Sequence, residues 1–262
     1  MARVKVLLAF LILLFCSLTS HAQQPEKSEV MQKRQLTVNN AVLIGISYNA
    51  LFPVGELSKR FGFSSSIGLN ISYKMKKNWL IGVEGAYIWS RIVKENGILD
   101  SITTYATGQI IGNDGSLYNV PMQLSGFEVA LRVGKLIPTS SKHPNSGVLI
   151  EVAPGFIEHK IWMNVNSTNL PQLSSDYLKG YDRLTNGPMI NGFLGYLYLE
   201  RHKFISLKAG LDYTLGFTQN RRPWNFDTMA PDHHQRLDMF IGLKLVWVIP
   251  IFTNKDNEVY YN

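Results

Sequence analysis

The sequence predicts an all-β protein, an eight-stranded antiparallel up-and-down transmembrane β-barrel. Three observations support this prediction. Apolar residues alternate with small or polar ones in eight segments, one of them ambiguous, long and short connections alternate, and aromatic residues lie near the ends of the apolar faces. Alternation with a period of two indicates a strand, because successive side chains leave a pleated backbone on opposite sides. In a membrane barrel one side of each strand meets lipid and the other side faces the interior.

The clearest of these strands runs from Trp79 to Arg91. Its apolar face carries Trp79, Ile81, Val83, Tyr87 and Trp89, and its opposite face carries Gly82, Glu84, Ala86 and Ser90, with Leu80 and Ile88 as exceptions. At ~3.3 Å per residue and a tilt of about 40°, the two tryptophans are separated by roughly 25 Å along the membrane normal. This separation is typical of an outer-membrane strand with an aromatic residue at each interface.

Six further segments show the same two faces. Taking alternate residues, their apolar faces run from Val42 to Tyr48, Ile67 to Tyr73, Phe127 to Val133, Val148 to Phe156, Ile205 to Leu215 and Leu237 to Trp247. The opposite faces are rich in small residues with single charges. The remaining segment, Ile190 to Glu200, mixes leucine, phenylalanine and tyrosine on both sides, so its faces stay unassigned. The total of eight strands matches the smallest common membrane barrel.

Long and short connections alternate along the chain. The long ones are Leu51 to Gly62, Val93 to Leu124, His159 to Met189 and Thr218 to Gln235, and the shorter ones are Lys76 to Asn78, Pro138 to Gly147 and Arg201 to Lys203. Outer-membrane barrels have long extracellular loops and short periplasmic turns, so a periplasmic N-terminus places every long connection outside. In the second long loop, Asn113-Asp114-Gly115 is a hairpin signal. It predicts that the third and fourth strands continue above the membrane as a hairpin.

The N-terminal residues indicate export. Arg3 and Lys5 precede an apolar run that is too short to span a bilayer, and Ser20-His21-Ala22 supplies the small residues of a cleavage site. Cys16, the only cysteine, lies inside this predicted signal peptide, so we expect the mature chain to have no disulfide. The predicted organisation is a signal peptide at residues 1–22, a flexible periplasmic lead-in at 23–38, the barrel at 39–252 and a C-terminal tail at 253–262.

Several diffuse features between Val42 and the C-terminus carry a family resemblance. They are Gly45-Ile46-Ser47-Tyr48, Tyr73-Lys74 before Lys76-Lys77-Asn78-Trp79, Val120-Pro121-Met122, Trp247-Val248-Ile249-Pro250 and Tyr260-Tyr261. With these features the chain resembles the small outer-membrane β-barrel proteins of Bacteroidota, in the porin superfamily. The resemblance implies a barrel architecture and an outer-membrane location rather than a particular activity. It also makes an accessory role in a secretion or gliding complex conceivable.

Nine charged residues on the small-residue faces are predicted to form a polar network in the lumen. They are Glu84, Glu128, Arg132, Glu151, Lys208, Asp212, Arg236, Asp238 and Lys244. Closing eight strands leaves an interior that side chains fill, so these nearly balanced charges are expected to pair there and to replace a hydrophobic core. A narrow proton or ion path along the same charges is the alternative, and an open pore for solutes is disfavoured.

Aromatic residues near the strand ends predict an interfacial girdle, and basic loop residues predict lipid contacts. The girdle comprises Tyr48, Tyr73, Trp79, Tyr87, Trp89, Tyr213 and Trp247. Arg221 and Arg222 beside Trp224 predict lipopolysaccharide binding, because the arginine fork matches phosphate geometry, and an ordinary charged loop is the alternative. The formal net charge of +7, which becomes +5 without Arg3 and Lys5 of the predicted signal peptide, suits anionic lipid head groups, whereas nucleic acid is a poor partner for an exported chain.

The predicted function is non-enzymatic and uses neither a cofactor nor a metal. The loops Val93 to Leu124 and His159 to Met189 are expected to contact outer-membrane lipid, lipopolysaccharide, a ligand or an envelope or secretion protein. The alternative is a lipid- or peptide-hydrolysing enzyme, since Asp227, Asp232, His233 and His234 cluster in the last long loop. A soluble barrel of lipocalin type is a third possibility, although 17% charged residues is low for a surface facing water.

Overall fold

The computed structural model describes residues 40–140, 143–165, 169–174, 176–199 and 206–253, and its main body is a closed β-barrel. The elements in chain order are β1 (Ala41–Gly55), α1 (Leu57–Arg60), β2 (Ser64–Lys74), β3 (Trp79–Ser90), β4 (Ile110–Ile111), β5 (Leu117–Tyr118), β6 (Met122–Pro138), β7 (Gly147–Met163), two 3-10 turns (Pro171–Leu173 and Tyr177–Gly180), β8 (Thr185–Tyr198), β9 (Ser206–Asn220) and β10 (Gln235–Phe252). The barrel order is β1-β10-β9-β8-β7-β6-β3-β2. The predicted fold class is confirmed.

Some of the predicted segments lie outside the described residues. These are the signal peptide at 1–22, the lead-in at 23–38, the turn at Arg201 to Lys203 and all but the first residue of the tail. Within the described part, Thr253 N donates to the carbonyl of Asn40 across 3.1 Å, which joins the end of β10 to the start of β1. The barrel therefore closes between its first and its last strand.

The two ends of the barrel differ in the length of their connections. One end, the turn rim, carries residues 75–78 and the described residues of the 139–146 connection. The opposite end, the loop rim, carries residues 56–63, 91–121, 221–234 and the described residues of the 164–184 connection. At the turn rim Asn78 has a left-handed backbone with φ 61°, a conformation that asparagine tolerates better than most residues. The predicted alternation of long and short connections is confirmed for the described residues.

The outer face of the barrel is a continuous apolar belt. Each of the eight strands contributes to it, with Ile46, Leu69, Val83, Leu131, Val152, Leu194, Leu211 and Leu243 all exposed. Leu69, for example, is 64% exposed. A protein surrounded by water rarely shows an apolar surface of this extent, because burial of such a surface is strongly favourable. The belt disfavours the lipocalin-type alternative, in which the aliphatic faces would point inward.

Several strands extend further toward the loop rim than the sequence pattern predicts, and three of them extend furthest. β1 continues to Gly55, β7 continues to Met163, and β8 begins at Thr185. In the paired β7 and β8 extensions the outward residues become polar, as Glu158 and Asn186 show. Apolar alternation therefore stops while backbone pairing continues, and the barrel wall rises above the apolar belt.

β8 is the strand whose faces the sequence leaves open. Ile190, Leu194 and Tyr196 point outward, whereas Asn191 and Phe193 point inward and are buried. Large apolar residues occur on both faces of β8 because those facing outward form part of the apolar belt and those facing inward pack in an apolar layer of the interior. The mixed pattern is thus a consequence of the interior packing.

The interior of the barrel is layered, with apolar side chains toward each rim. Near the turn rim lie Leu43, Leu80, Leu136, Leu149, Phe193, Leu197, Val246 and Val248. Near the loop rim the strands contribute Leu51, Ile88, Leu124, Ile157, Ile161 and Phe240. Leu80 and Ile88, the two exceptions in the β3 pattern, belong to opposite layers. The expectation that a polar network replaces the hydrophobic core is therefore wrong near both rims, where apolar layers occur together with buried polar residues such as Lys74 and Asp238.

The second long loop contains the predicted hairpin, but the hairpin is separate from the barrel. β4 and β5 form their own two-stranded sheet around the turn at Asp114. The Asp114 carboxylate accepts hydrogen bonds from Ser116 N across 3.0 Å and from the Tyr118 hydroxyl across 2.7 Å. The prediction that the third and fourth strands continue upward as this hairpin is wrong, because β3 ends at Ser90 and residues 91–109 intervene.

The helical elements of the described chain are short connections at the loop rim. α1 spans four residues, and the two 3-10 turns span three and four residues. No described helix has the length and apolar character needed to cross a bilayer.

Candidate functional site: a folded cap over the loop rim

Six of the nine predicted lumen charges meet in the middle layer of the barrel. The cations are Arg132, Lys208 and Lys244, and the carboxylates are Glu84, Glu151 and Asp212. Arg132 is central, since its Nε lies 2.5 Å from Glu84 Oε2 and its Nη1 lies 3.4 Å from Glu151 Oε2. Equal numbers of opposite charges compensate one another, as burial of ions requires.

Uncharged amides that the sequence analysis missed complete this layer. Asn49 Nδ2 and Asn191 Nδ2 donate to Asp212 Oδ2 across 3.2 Å and 2.9 Å. Asn49 falls on the small-residue face of β1, so the same alternation would have found it, whereas Asn191 lies in β8, whose faces the sequence leaves unassigned. The middle layer is thus a hydrogen-bonded network between two apolar layers.

The other three predicted lumen residues, Glu128, Asp238 and Arg236, form no ion pair with these six charged residues. Glu128 is buried in the interior, while Asp238 pairs with His159, whose Nε2 lies 2.7 Å from Asp238 Oδ2. Thr218 also donates to Asp238 Oδ2, across 2.5 Å. Arg236 pairs with Asp232 at the loop rim. The sequence pattern predicts that His159 lies in a loop, but it continues the inward series of β7.

The four connections at the loop rim are joined by a chain of alternating charges. Arg60 belongs to residues 56–63, Glu95 to 91–121, Arg183 to 164–184 and Asp227 to 221–234. Glu95 lies between both arginines, 3.1 Å from Arg60 Nε and 3.0 Å from Arg183 Nε, and Arg183 Nη2 donates to Asp227. Each link joins two different loops. We call these four residues the ionic chain.

A second charged contact joins the last two loops. Arg222 donates from Nε to Asp182 Oδ1 across 2.7 Å and from Nη2 to Asp182 Oδ2. This forked pair raises the pKa of the Arg222 guanidinium above its ordinary value, chiefly through the hydrogen bond to Asp182. Two arginine–aspartate pairs, the forked Arg222–Asp182 pair and the single Arg183–Asp227 contact, therefore fix residues 164–184 and 221–234 to each other.

An apolar core lies beneath these charges. The loops contribute Leu57, Phe61, Ile98, Leu99, Ile110, Val120, Leu170, Leu173 and Tyr181, all buried and packed with the upper apolar layer of the barrel. Segments with their own core and inter-loop ion pairs resist local opening. The loop rim is therefore covered by a folded structure, which we call the cap.

The cap carries an exposed groove of about 650 Å³. Its lining comprises Ser101, Ile102, Pro171, Gln172, Tyr177, Tyr181, Phe226 and Met229. The Phe226 ring lies 5.3 Å from the Tyr181 ring and 6.4 Å from the Tyr177 ring, measured between centroids. Any side chain at Gly180 would collide with Phe226, so glycine at this position lets the ring approach the backbone. We call this feature the cap groove.

Two side chains of the cap groove point into solvent. Tyr177 is 57% exposed and Met229 is 69% exposed. Met229 also has a left-handed backbone with φ 49°, which is uncommon for a long side chain and marks backbone strain. A strained backbone conformation persists only when contacts with the surrounding residues stabilise it, and such conformations often occur at binding sites.

The three residues predicted to bind lipopolysaccharide do not form one site. Arg222 is committed to Asp182, whereas Arg221 is exposed and donates from Nε to Asn186 Oδ1 across 2.6 Å. Trp224 is exposed in the same loop. Among these residues, Arg221 retains an exposed guanidinium near the apolar belt.

Two carboxylates of the alternative enzymatic site are held by arginines, Asp227 by Arg183 and Asp232 by Arg236. Asp232 accepts hydrogen bonds from Arg236 and, across 3.1 Å, from His234 N. Burial alone would raise the pKa of Asp232, but these hydrogen bonds outweigh it and hold the pKa below its ordinary value. The exposed His234 faces Glu56 at 3.9 Å. No cluster of three or more potential metal ligands occurs among the described residues.

The predicted girdle residues lie on the outer face of the barrel. Tyr48 and Tyr87 form hydroxyl hydrogen bonds with Ser65 at 3.0 Å and Ser125 at 2.9 Å, respectively. Near the turn rim, Lys135 Nζ lies 5.0 Å from the centroid of the Trp79 ring. The remaining predicted members are Tyr73, Trp89, Tyr213 and Trp247, of which Trp89 is half-buried against Tyr87. Rings with a polar partner suit an interface between hydrocarbon and water.

No family model and no curated protein matches the chain. Among solved structures, the chain is similar to Ail, the attachment invasion locus protein of Yersinia pestis, in complex with the heparin analogue sucrose octasulfate. The identity is 10%, the TM-score is 0.42, and the match covers 81% of this chain and 99% of that chain. It is also similar to Neisserial surface protein A, with 8% identity, a TM-score of 0.39 and coverage of 79% and 96%.

A third similar structure is the N-terminal β-barrel domain of Pseudomonas aeruginosa OprF. Its identity is 12%, its TM-score is 0.35, and the match covers 79% of this chain and 97% of that chain. These neighbours are eight-stranded outer-membrane barrels. Likeness at this level carries no inference about what the present chain binds.

Proposed function

We propose that this protein is a non-enzymatic integral outer-membrane barrel that binds a partner protein through the cap groove. The signal peptide at residues 1–22 directs its export, and the chain belongs with the small outer-membrane barrels of Bacteroidota. The observation that carries the proposal is the cap groove itself, an exposed aromatic and apolar surface on the folded cap. The opposite rim has only short turns within the described residues.

The chemistry of the cap groove favours a protein as the occupant. Tyrosine, phenylalanine and methionine are enriched in the centres of protein interfaces, and such residues dominate binding energy. The ionic chain holds the groove in place before binding, which lowers the entropy that association costs. Exposed Tyr177 and Met229 would bury their apolar surface only against a partner.

In this proposal the charged middle layer has a structural role. Its cations and carboxylates are paired with each other, and apolar layers lie toward both rims. We propose that the layer fixes the strands around the lumen and that the protein does not conduct ions. The enzymatic alternative is less favoured, because the Asp232 carboxylate is engaged by Arg236.

A site-specific crosslinking experiment tests the proposal. With a photoreactive phenylalanine analogue at Met229, native membranes are expected to give one discrete protein adduct. The same analogue at Ile111, an exposed residue of the β4–β5 hairpin, is the matched control and should give none. The substitution Tyr177→Ala should reduce the Met229 adduct about tenfold, as expected for a central aromatic contact.

Two outcomes would count against a protein-binding cap groove. One is an adduct that contains lipid alone, and the other is equal adduct formation from positions 229 and 111. Because Tyr177 is exposed, its loss should leave the barrel folded, so a reduced adduct reports binding.

A further inference from the structure

A second groove lies on the outer wall of the barrel, between the apolar belt and the loop rim. Its volume is about 430 Å³. Its lining includes Pro188 of β8, Phe217 and Gln219 of β9, Arg221 directly after β9, and Arg236 and Leu237 of β10. It is remote in sequence from most of the cap groove lining and shares no lining residue with it. We call it the wall groove.

The wall groove has an apolar part and a basic part. Phe217 and Leu237 are exposed apolar side chains that continue the belt upward. Pro188 lies where the β8–β9 ladder skips from Asn186–Gln219 to Met189–Gly216, and proline has no N–H to donate there. Arg221 and Arg236 supply the basic part. A ligand that fills the groove must therefore have an apolar part that contacts Phe217 and Leu237 and an anionic part that meets the guanidinium groups of the arginines.

The charges around the basic part leave hydrogen-bond donors available. Arg236 gives Nη2 to Asp232 and its Nη1 is buried, so Arg236 contributes positive charge to the groove rather than an accessible donor. Arg221 gives Nε to Asn186, and Asn186 in turn donates to Glu158 across 2.9 Å. These contacts occupy the nearby carboxylates Asp232 and Glu158 and orient both arginines. A guanidinium held in this way is suited to forked binding of a phosphate.

We propose that the wall groove binds the phosphate group of a membrane lipid, with an acyl chain of the same lipid lying against Phe217 and Leu237. The proposal rests on the proposed membrane-spanning function, since only a lipid in the surrounding leaflet meets both parts of the groove. Of the predicted lipopolysaccharide contact, Arg221, Arg222 and Trp224, the proposal keeps Arg221, and it adds Arg236, which the sequence placed in the lumen network. Arg222 is excluded because its fork is occupied by Asp182.

The test uses the full-length mature barrel reconstituted into phosphatidylcholine vesicles that contain a small fraction of bisphosphorylated lipid A. Lipid A retained per protein is measured by native mass spectrometry after extraction into neutral detergent. Arg221→Gln is expected to lower retention at least about tenfold, because hydrogen bonds between charged groups are strong. Arg91→Gln, a substitution at an exposed arginine outside the wall groove, is the control and should retain lipid as the unmodified barrel does.

Two further arms identify the source of the phosphate. Dephosphorylated lipid A should be retained weakly by the unmodified barrel, and Phe217→Ser should lower retention of lipid A without affecting binding of inorganic phosphate. Equal retention of lipid A by the Arg221→Gln and Arg91→Gln variants would overturn the proposal. Tight binding of inorganic phosphate by the unmodified barrel, without retention of lipid A, would also overturn it. If the unmodified barrel fails to insert into any vesicle, the proposed membrane function fails as well, so the two failures are distinguishable.

Discussion

Replacing Arg132 with methionine is expected to lower the free energy of unfolding by about 3–5 kcal/mol, because removal of one partner leaves buried carboxylates uncompensated. Arg132 contacts Glu84 and Glu151 at the centre of the middle layer. The measurement is urea unfolding of the barrel in lipid vesicles, followed by the gel mobility of unheated samples. A loss of this size is a large share of the stability of a small domain.

The matched control for Arg132→Met is Arg91→Met, at an exposed arginine. This control should change the unfolding free energy by less than about 0.5 kcal/mol, as is usual for surface substitutions. If Arg132→Met were equally harmless, the middle layer would not stabilise the barrel. The structural role proposed for the lumen charges would then be wrong.

Replacing Arg183 with alanine is expected to open the cap while the barrel stays folded. The substitution removes the link from Glu95 to Asp227 and so divides the ionic chain. A loss of about 2 kcal/mol for charged hydrogen bonds corresponds to roughly thirtyfold faster cleavage by thermolysin within the loops. The unfolding free energy of the barrel should remain unchanged, since the ionic chain lies at the loop rim.

Lys179→Ala provides the matched control in the same loop. Lys179 pairs with Asp176 at 2.9 Å, but both side chains are exposed, and such pairs contribute little to stability. Its cleavage rate should stay within about twofold of the unmodified protein. Rapid cleavage of both variants would show that the loops are open before any substitution, which contradicts a folded cap.

The strands were predictable because the direction in which each side chain points, inward or outward, follows from its position beside its immediate neighbours in the chain. Leu69 faces outward and the next residue, Asn70, faces the interior, so two adjacent residues already indicate which side of the strand meets lipid. The same logic located the charges of the middle layer. It failed for the upper parts of β7 and β8, where Glu158 and Asn186 replace apolar residues although the backbone remains paired.

The cap was not predictable because its contacts join residues that are far apart in the sequence. Glu95 meets Arg60 and Arg183, and nothing near Glu95 in the chain distinguishes it from other loop acids. The same holds for His159 and Asp238, which are separated by 79 positions. Spacing along the chain carries no signal for such pairs, since only the closure of the barrel brings their strands or loops together.

The apolar belt as a lipid-facing surface is the central claim, and spin-label accessibility tests it most directly. A label is attached to Leu69→Cys in the belt and to Tyr105→Cys in the cap, each in a Cys16→Ala background and reconstituted into vesicles. We expect the label at position 69 to collide mainly with oxygen dissolved in the bilayer and the label at position 105 mainly with a water-soluble nickel chelate. Equal access of the nickel chelate to both labels would contradict a membrane-spanning barrel.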